Sequence, residues 1–464
     1  MTDFVMDTAA EGRLEDYFDS IGKVLNNKRR RASFAIYAMG ILGDGERKSA
    51  EPIAALACGD PALANAHHQR LLEFLSESKW SNHDVRRLAA RYAVREMMAR
   101  EPISAWIVDD TGFLKQGTHS VGVQRQYTGS AGKITNCQVG VSLSIATKTE
   151  HLPIDFELYL PKFWAEDPLR RKQARIPEEV GFDTKPELAL KMLRWAVEDD
   201  LPKGVVLADS AYGDSSEFRD GVRALQLDYA VGVHGPTKVW RMDTLKRRRG
   251  EAIRLRDLAL ELGRARFRRI TWREGTKQIL WSRFAFLRVV PAHDDGWDPA
   301  VREDVWLVIE WPDGEREPTK YFFATLPPSC RRNVLVRLIK ERYRTERLYE
   351  DLKGELGLDH FEGRSFPGWH HHVSVVLSCY AFVVAERVRR FPPRPDGRWK
   401  TTRSRSRPER HFHDSFITAR IAIARLLATW LPRCPLCHRV NPDARSPDDP
   451  RRYHPRQDGR EPIQ

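Results

Sequence analysis

Two short apolar runs do most to limit what this 464-residue chain can fold into: AWIVDD, closed by Asp109 and Asp110, and GVVLAD, closed by Asp209. Both are unbroken rather than alternating, the pattern of strands buried on both faces of a sheet. A carboxylate that closes such a strand stands where the sheet runs out, open to solvent and ligand. The surrounding pattern agrees with this. Strands are expected at 103–109, 136–146 and 152–160, an antiparallel start with 117–133 as a polar connection. A helix over 186–197, a strand over 204–209, a helix over 215–225 and a strand over 229–233 follow. Strands alternating with crossover helices give an α/β core.

A third carboxylate comes from ERYRTERLYEDLKGELGLDHFEGR, residues 341–364, where Arg342, Glu346 and Lys353 are spaced by four and then seven residues. No proline interrupts 331–366, and Val334, Leu335, Leu338, Leu352 and Leu356 supply an apolar face, so the stretch is expected to be helical. At ~100° per residue the three charges share one stripe, an acid between two bases. Alone, such a stripe reads as a solvated helix laced with ion pairs. Joined by two strand-end aspartates, it makes an oxygen-rich pocket suited to hard divalent cations. Magnesium keeps several waters in such a site, and a pair of ions clamps the attacking and leaving oxygens of a phosphoryl transfer.

The Arg342, Glu346, Lys353 spacing resembles the signature of bacterial cut-and-paste insertion-sequence transposases. More narrowly, DDTGFLKQGTHSVGVQRQYTGSAGKITNCQVGVSLS, LADSAYGD and ELGLDHFEGRS, in that order, resemble the insertion-sequence seven-oh-one branch, and RRRASFAIYAMGILGDGERKSAEPIA extends the likeness over most of the chain up to about residue 390. The resemblance implies a DDE transposase with a ribonuclease-H-like core. It implies Asp109, Asp209 and Glu346 as catalytic and metal-binding acids, two magnesium ions with manganese as a substitute, and a homodimer in the active DNA complex. The family's first aspartate stands two residues before a Thr or Ser; Thr111 therefore selects Asp109 and leaves Asp110 as its substitute. Arg342 and Lys353 would grip phosphates beside the scissile bond. The family's tyrosine three residues before the arginine is Ile339 here, so a phosphate-contacting hydroxyl is missing at that position.

Residues 234–329, between the second aspartate and the glutamate, resemble the β-rich insertion of the same transposases. This segment holds Trp240, Trp272, Trp281, Trp297, Trp306 and Trp311. Most are expected in a small β core, the others being able to stack on unpaired bases among arginines.

An excess of 77 Lys and Arg over 64 Asp and Glu, +13 in net charge, favours a polyanionic partner. Double-stranded DNA, as element ends and as target, is the expected one. Residues 1–100 read as a helical N-terminal DNA-binding domain, with helices at 12–26, 31–42, 50–57 and 61–78 and one capped by Ser81. Its KRRR cluster at 28–31 and the row Arg86, Arg87, Arg91 are the expected phosphate contacts. No apolar run approaches the ~20 residues of a spanning helix, and the N-terminus lacks the charge order of a signal peptide. A cytoplasmic, nucleoid-associated protein without a membrane partner is therefore expected. The six cysteines are scattered and imply no disulfide framework. CPLCH at 434–438 is half a zinc site at most, needing His411 or His413 to complete it. Three adjacent histidines, 370–372, cannot easily share a metal on a helix and are expected at the surface or on DNA.

The expected organisation is thus 1–100 helical, 101–233 the first part of the core, 234–329 the insertion, 330–390 the catalytic helices, and 391–464 a basic linker, a helix over 413–431 and a disordered tail. The expected activity is binding of terminal inverted repeats with metal-dependent DNA cleavage and strand transfer. A nuclease that cleaves without joining would use the same acids. A catalytically silent DNA-binding repressor is the alternative from another class.

Overall fold

The computed structural model describes residues 6, 9–58, 61–242, 248–274, 279–292, 303–390, 415–428 and 430. Five helices precede the first strand: α1 (Ala10–Leu25), α2 (Lys28–Leu42), α3 (Ala50–Ala57), α4 (Ala64–Ser76) and α5 (Asn82–Arg100). Their starts follow local chemistry. The Asn27 side chain accepts from the backbone N–H groups of Arg29 and Arg30 to open α2, and Ser81 accepts from Asp84 to open α5.

Strands β1 (Ala105–Leu114), β2 (Gln124–Thr128), β3 (Lys133–Ala146) and β4 (His151–Tyr159) come next, then α6 (Lys162–Glu166), α7 (Pro168–Ala174) and α8 (Lys185–Glu198). Thr184 and Glu187 form a reciprocal capping box at the start of α8. The chain continues through β5 (Val205–Ala208), α9 (Ser210–Gly213), α10 (Ser216–Ala224) and β6 (Tyr229–Val233). An excursion follows, with β7 (Lys238–Met242), β8 (Arg248–Arg254), α11 (Leu255–Leu262), β9 (Arg268–Glu274), β10 (Ile279–Pro291), β11 (Val305–Glu310) and β12 (Lys320–Ala324). Helices α12 (Arg332–Lys340), α13 (Arg344–Gly354), α14 (Phe366–Arg390) and α15 (Phe416–Ala428) close the described chain.

Among the described residues twelve strands form one mixed sheet, ordered β2-β3-β1-β5-β6-β12-β11-β10-β7-β8, with β4 beside β3 and β9 beside β10. β1, β5 and β6 are parallel to one another. β12 runs antiparallel to β6, so the excursion is hydrogen-bonded into the same sheet. With its helices, this is a mixed α/β fold. α14 is buried along almost its whole length and packs on α2, α4, α5 and β4. One apolar core therefore runs from Leu14 of α1 through α14 to Phe156 of β4.

Several expectations change here. β2 lies inside the stretch expected as a polar connection, and β1 continues past Asp109 to Leu114. The single helix expected over 331–366 is broken by a 3₁₀ turn, Glu341–Tyr343, which carries Arg342. His370, His371 and His372 are not at the surface: all three are buried in α14. His370 meets Glu157 at 3.1 Å, His371 stacks on Trp80 with ring centres 3.8 Å apart, and His372 lies 2.9 Å from the Tyr37 hydroxyl. Burial pushes His371 and His372 down to about 4, so they serve as neutral core groups. Of the excursion's tryptophans, Trp240, Trp306 and Trp311 are buried, while Trp272 and Trp281 are half-buried under Lys340 and Arg269. Trp297, Cys434, Cys437, His411 and His413 lie outside the described residues.

Candidate active site

Strand register brings the first two acids together. β1 and β5 pair in parallel with Ile107 opposite Leu207, and the pairing stops there. Two residues further along each strand come Asp109 and Asp209, at the same level and, by the period of two, on the same face as Ile107 and Leu207. That face carries α12, whose Leu335, Val336 and Ile339 share a core with Ile107 and Leu207. Asp110 points the other way. Its carboxylate takes 3.1 and 3.2 Å hydrogen bonds from Lys185 of α8 and the Tyr212 hydroxyl.

The turn after α12 delivers Arg342 onto this spot. Its Nη1 donates to Asp109 Oδ2 at 2.6 Å, while the Asp110 amide donates to Asp109 Oδ1 at 2.8 Å. Burial pushes the Asp109 carboxyl up to about 7; the Arg342 guanidinium pulls the other way, and the neighbouring Asp209 charge adds to the rise. Burial is the largest single influence on Arg342 and lowers it, but the charges of Asp109, Asp209 and Glu346 together outweigh burial and raise it, which puts all three acids within electrostatic reach of one guanidinium. Glu346, in the first turn of α13, is exposed. Asp209, Arg342 and Glu346 line a cavity of ≈ 440 Å³, with Asp109 behind Arg342.

Among the described residues, no three His, Cys, Asp or Glu side chains converge closely enough to hold an ion as they stand. The donor chemistry nevertheless fits a hard divalent cation. Every candidate ligand is a carboxylate oxygen, and the Asp209 charge adds to the rise at Asp109, so the pair needs a positive counter-charge. Arg342 supplies that charge to Asp109. An ion bound by Asp109 and Asp209, with Glu346 as third ligand, would take its place.

Two sets of expected phosphate contacts have partners within the protein. Lys353 donates to Thr111 Oγ1 at 2.8 Å, Gly112 O at 2.7 Å and Ser130 Oγ at 3.2 Å, which commits its three protons to β1 and the loop after β2. With Tyr349, whose hydroxyl lies 2.6 Å from Ser142 Oγ, it fastens α13 to the sheet and so fixes where Glu346 projects. On α5, Arg86 is buried, with Asp155 at 2.9 Å and Glu157 at 2.8 Å on β4. Arg86 is thus not the surface group the DNA-contact expectation assumed: its guanidinium meets the buried Asp155 and the half-buried Glu157. Arg87 pairs with Asp199, and Arg91 keeps an exposed side chain 4.0 Å from the same carboxylate.

The sequence reading missed a chain of polar groups at the cavity mouth. Ser210 follows Asp209 directly, and its hydroxyl lies 3.2 Å from His234 Nε2. His234 Nδ1 meets Asp214 Oδ2, and its backbone N–H donates to Asp214 Oδ1 at 2.9 Å. The signal for it was present. β5 and β6 are parallel neighbours, with Ala208 beside Val231, so whatever follows β6 stands beside whatever follows β5.

A family model described as DDE superfamily endonuclease matches residues 20–279, and one described as transposase DDE domain matches residues 183–382. The chain belongs to the DDE superfamily endonuclease family. It is similar to a probable transposase for insertion sequence element IS701 from Microchaete diplosiphon, with 27% identity over 221 residues. That stretch covers 47% of this chain and 53% of the relative, so the match spans about half the length of each.

Proposed function

We propose that the chain is an insertion-sequence transposase that binds the terminal repeats of its element, cuts DNA beside them and joins the freed 3′ ends to a target. The observation that carries this is the placement of Asp109 and Asp209 each two residues past the last β1–β5 pair, with Glu346 on the helix beside them. Support for a ribonuclease-H-like core comes from the strand order β4-β3-β1-β5-β6, in which the first three are antiparallel and the last two run parallel to β1.

Magnesium, with manganese as a substitute, would be held by Asp109, Asp209 and Glu346 and would supply charge to the attacking and leaving oxygens. The chain's own part is position. Lys353 and Tyr349 hold α13 so that Glu346 faces the aspartates, and Arg342, released from Asp109, donates to two phosphate oxygens in a bidentate grip. Away from the site, Arg29, Arg30, Arg70 and Lys79, with Glu73 and Glu77 among them and Glu73 2.9 Å from Arg29, line a second cleft, of ≈ 430 Å³, between α2 and α4. This cleft, rather than the α5 row, is the proposed grip on end DNA. No described helix is long and apolar enough to cross a membrane.

The test is incubation of the protein with magnesium and its own element ends, followed by sequencing of cut and joined products. Asp109→Ala, Asp209→Ala and Glu346→Ala should each abolish cutting with end binding nearly intact. Cutting without joined products would leave a nuclease. End binding with no cutting by the wild type would leave a silent repressor.

A further inference from the structure

The Ser210, His234 and Asp214 chain is not explained by the three acids. Its geometry fixes a tautomer. A carboxylate can only accept, so the Asp214 Oδ2 contact places the imidazole proton on Nδ1 and leaves a lone pair on Nε2, facing Ser210 Oγ at 3.2 Å. Asp214 is held in turn: Oδ1 accepts from the His234 backbone at 2.9 Å and from the Thr237 hydroxyl at 3.3 Å. Ser210 and His234 line the same cavity as Asp209, Arg342 and Glu346.

The backbone is shaped to bring this about. A Cβ on Gly213 would meet Gly232 O at 1.9 Å, and one on Gly232 would meet the Ser210 nitrogen at 3.0 Å. Glycine at 213 is required, and at 232 favoured, for the turn after β5 to lie flat against the end of β6 with His234 beside Ser210.

We infer that His234 is the proton acceptor for the hydroxyl that attacks phosphorus, oriented by Asp214; this rests on the DNA-cutting reading above. In cutting, the attacking group is water, and in joining it is a 3′ hydroxyl. The attacking hydroxyl displaces Ser210 Oγ from Nε2; its O–H bond breaks, the proton passes to Nε2, and the electron pair forms the new O–P bond. The P–O3′ bond breaks with its pair on O3′, which takes a proton from solvent. The imidazolium then returns its proton to solvent. Asp214 holds the ring in the accepting tautomer and balances the imidazolium charge.

The experiment is single-turnover cutting of an element-end duplex by the full chain at saturating magnesium, with end binding and thermal melting measured in parallel. His234→Ala should lose ~10² or more in rate, the range of a positioned base, while binding the end as wild type does. Added imidazole should restore at least ~10-fold of that loss, and His234→Gln, which is polar but cannot take the proton, should stay slow. Asp214→Asn gives an answer independent of the fate of the alanine variant. Its amide donates to Nδ1 and moves the ring proton to Nε2, so cutting should slow with the melt unchanged. The inference is overturned by His234→Ala at near wild-type rate, by glutamine restoring the rate, by no effect of imidazole, or by DNA left attached to Ser210 on a denaturing gel. A wild-type chain that never cuts its ends sinks the function reading and this inference together, whereas a cutting wild type matched by His234→Ala sinks the inference alone.

Discussion

Arg342 and Asp109 lie 233 residues apart in the chain and 2.6 Å apart in space, a guanidinium resting on the first carboxylate of the site. A guanidinium and a metal ion compete for the same oxygen, so on the proposed reading DNA and metal would be coupled: a phosphate that drew Arg342 away would free Asp109 for the ion. At pH 8 and without DNA, Arg342→Gln should bind manganese several-fold tighter than wild type by titration calorimetry, yet retain a pre-cut end more weakly. Unchanged manganese binding would show that the guanidinium is no competitor.

Asp109 also predicts a pH-dependent stability. Its folded carboxyl is pushed up to about 7, mainly by burial, against ~3.9 in an unfolded chain. A raised folded value stabilises the fold below the unfolded one, and that stabilisation is lost as pH rises through 7. In metal-free protein, Asp109→Asn, which is always neutral, should therefore melt higher than wild type at pH 8, by up to about 4 kcal/mol, and coincide with it near pH 4. Cutting should be lost throughout. An asparagine variant less stable at pH 8 would refute the burial argument.

Arg86 is expected to matter for folding rather than for DNA. Removing it strands Asp155 and Glu157 in the core, a loss of about 3–5 kcal/mol. Chemical denaturation of Arg86→Ala should show that loss, while the folded fraction binds end DNA with wild-type affinity and salt slope. Arg29→Ala with Arg30→Ala should do the reverse, lowering affinity and flattening the salt dependence by about two phosphate contacts. If Arg86→Ala left stability alone and abolished binding, α5 would be the DNA grip after all.

Lys353→Met should slow cutting without weakening end binding, because its protons hold α13 to β1 and the strand carries Asp109. The accompanying stability loss, for hydrogen bonds to a charged group, should be about 1.5–3 kcal/mol. Equal losses of end affinity and rate would return Lys353 to a phosphate.

Gly213→Ala is the backbone counterpart. With its Cβ driven into Gly232 O, it should both destabilise the fold and slow cutting, whereas Gly181→Ala, with nothing within 4 Å of the added carbon, should do neither. Thermal melts and single-turnover rates of the two variants, side by side, check this.

What could be read from the residues and what could not divides along physical lines. Helix 50–57 and strand 229–233 were legible to the residue because their signals are local: turns and periodicity. The placement of Asp109 and Asp209 at neighbouring strand ends was legible because each closes an apolar run, and strand alternation turns Asp110 to the opposite face. The 3₁₀ break before Arg344 was not. Its sequence has no glycine or proline, and nothing local marks where α12 leaves the sheet. Arg86 and His370 to His372 misled for a related reason. A charge or an imidazole reads as surface until its partner is known, and Glu157, which both Arg86 and His370 meet, lies 71 and 213 residues away.

The pairing of β12 with β6 bears on how such a chain can be trimmed. Were residues 234–329 cut out, β6 would become an outer strand, with Ala230 to Val233 presenting unsatisfied N–H and C=O groups that Tyr321 to Ala324 now cover. A bare, wholly apolar outer strand is a template for another chain's strand, and so for aggregation. The excursion thus doubles as a guard rail for the catalytic sheet, and a shortened chain would stay in solution only with β12, or a charged or proline-bearing replacement, retained along that side.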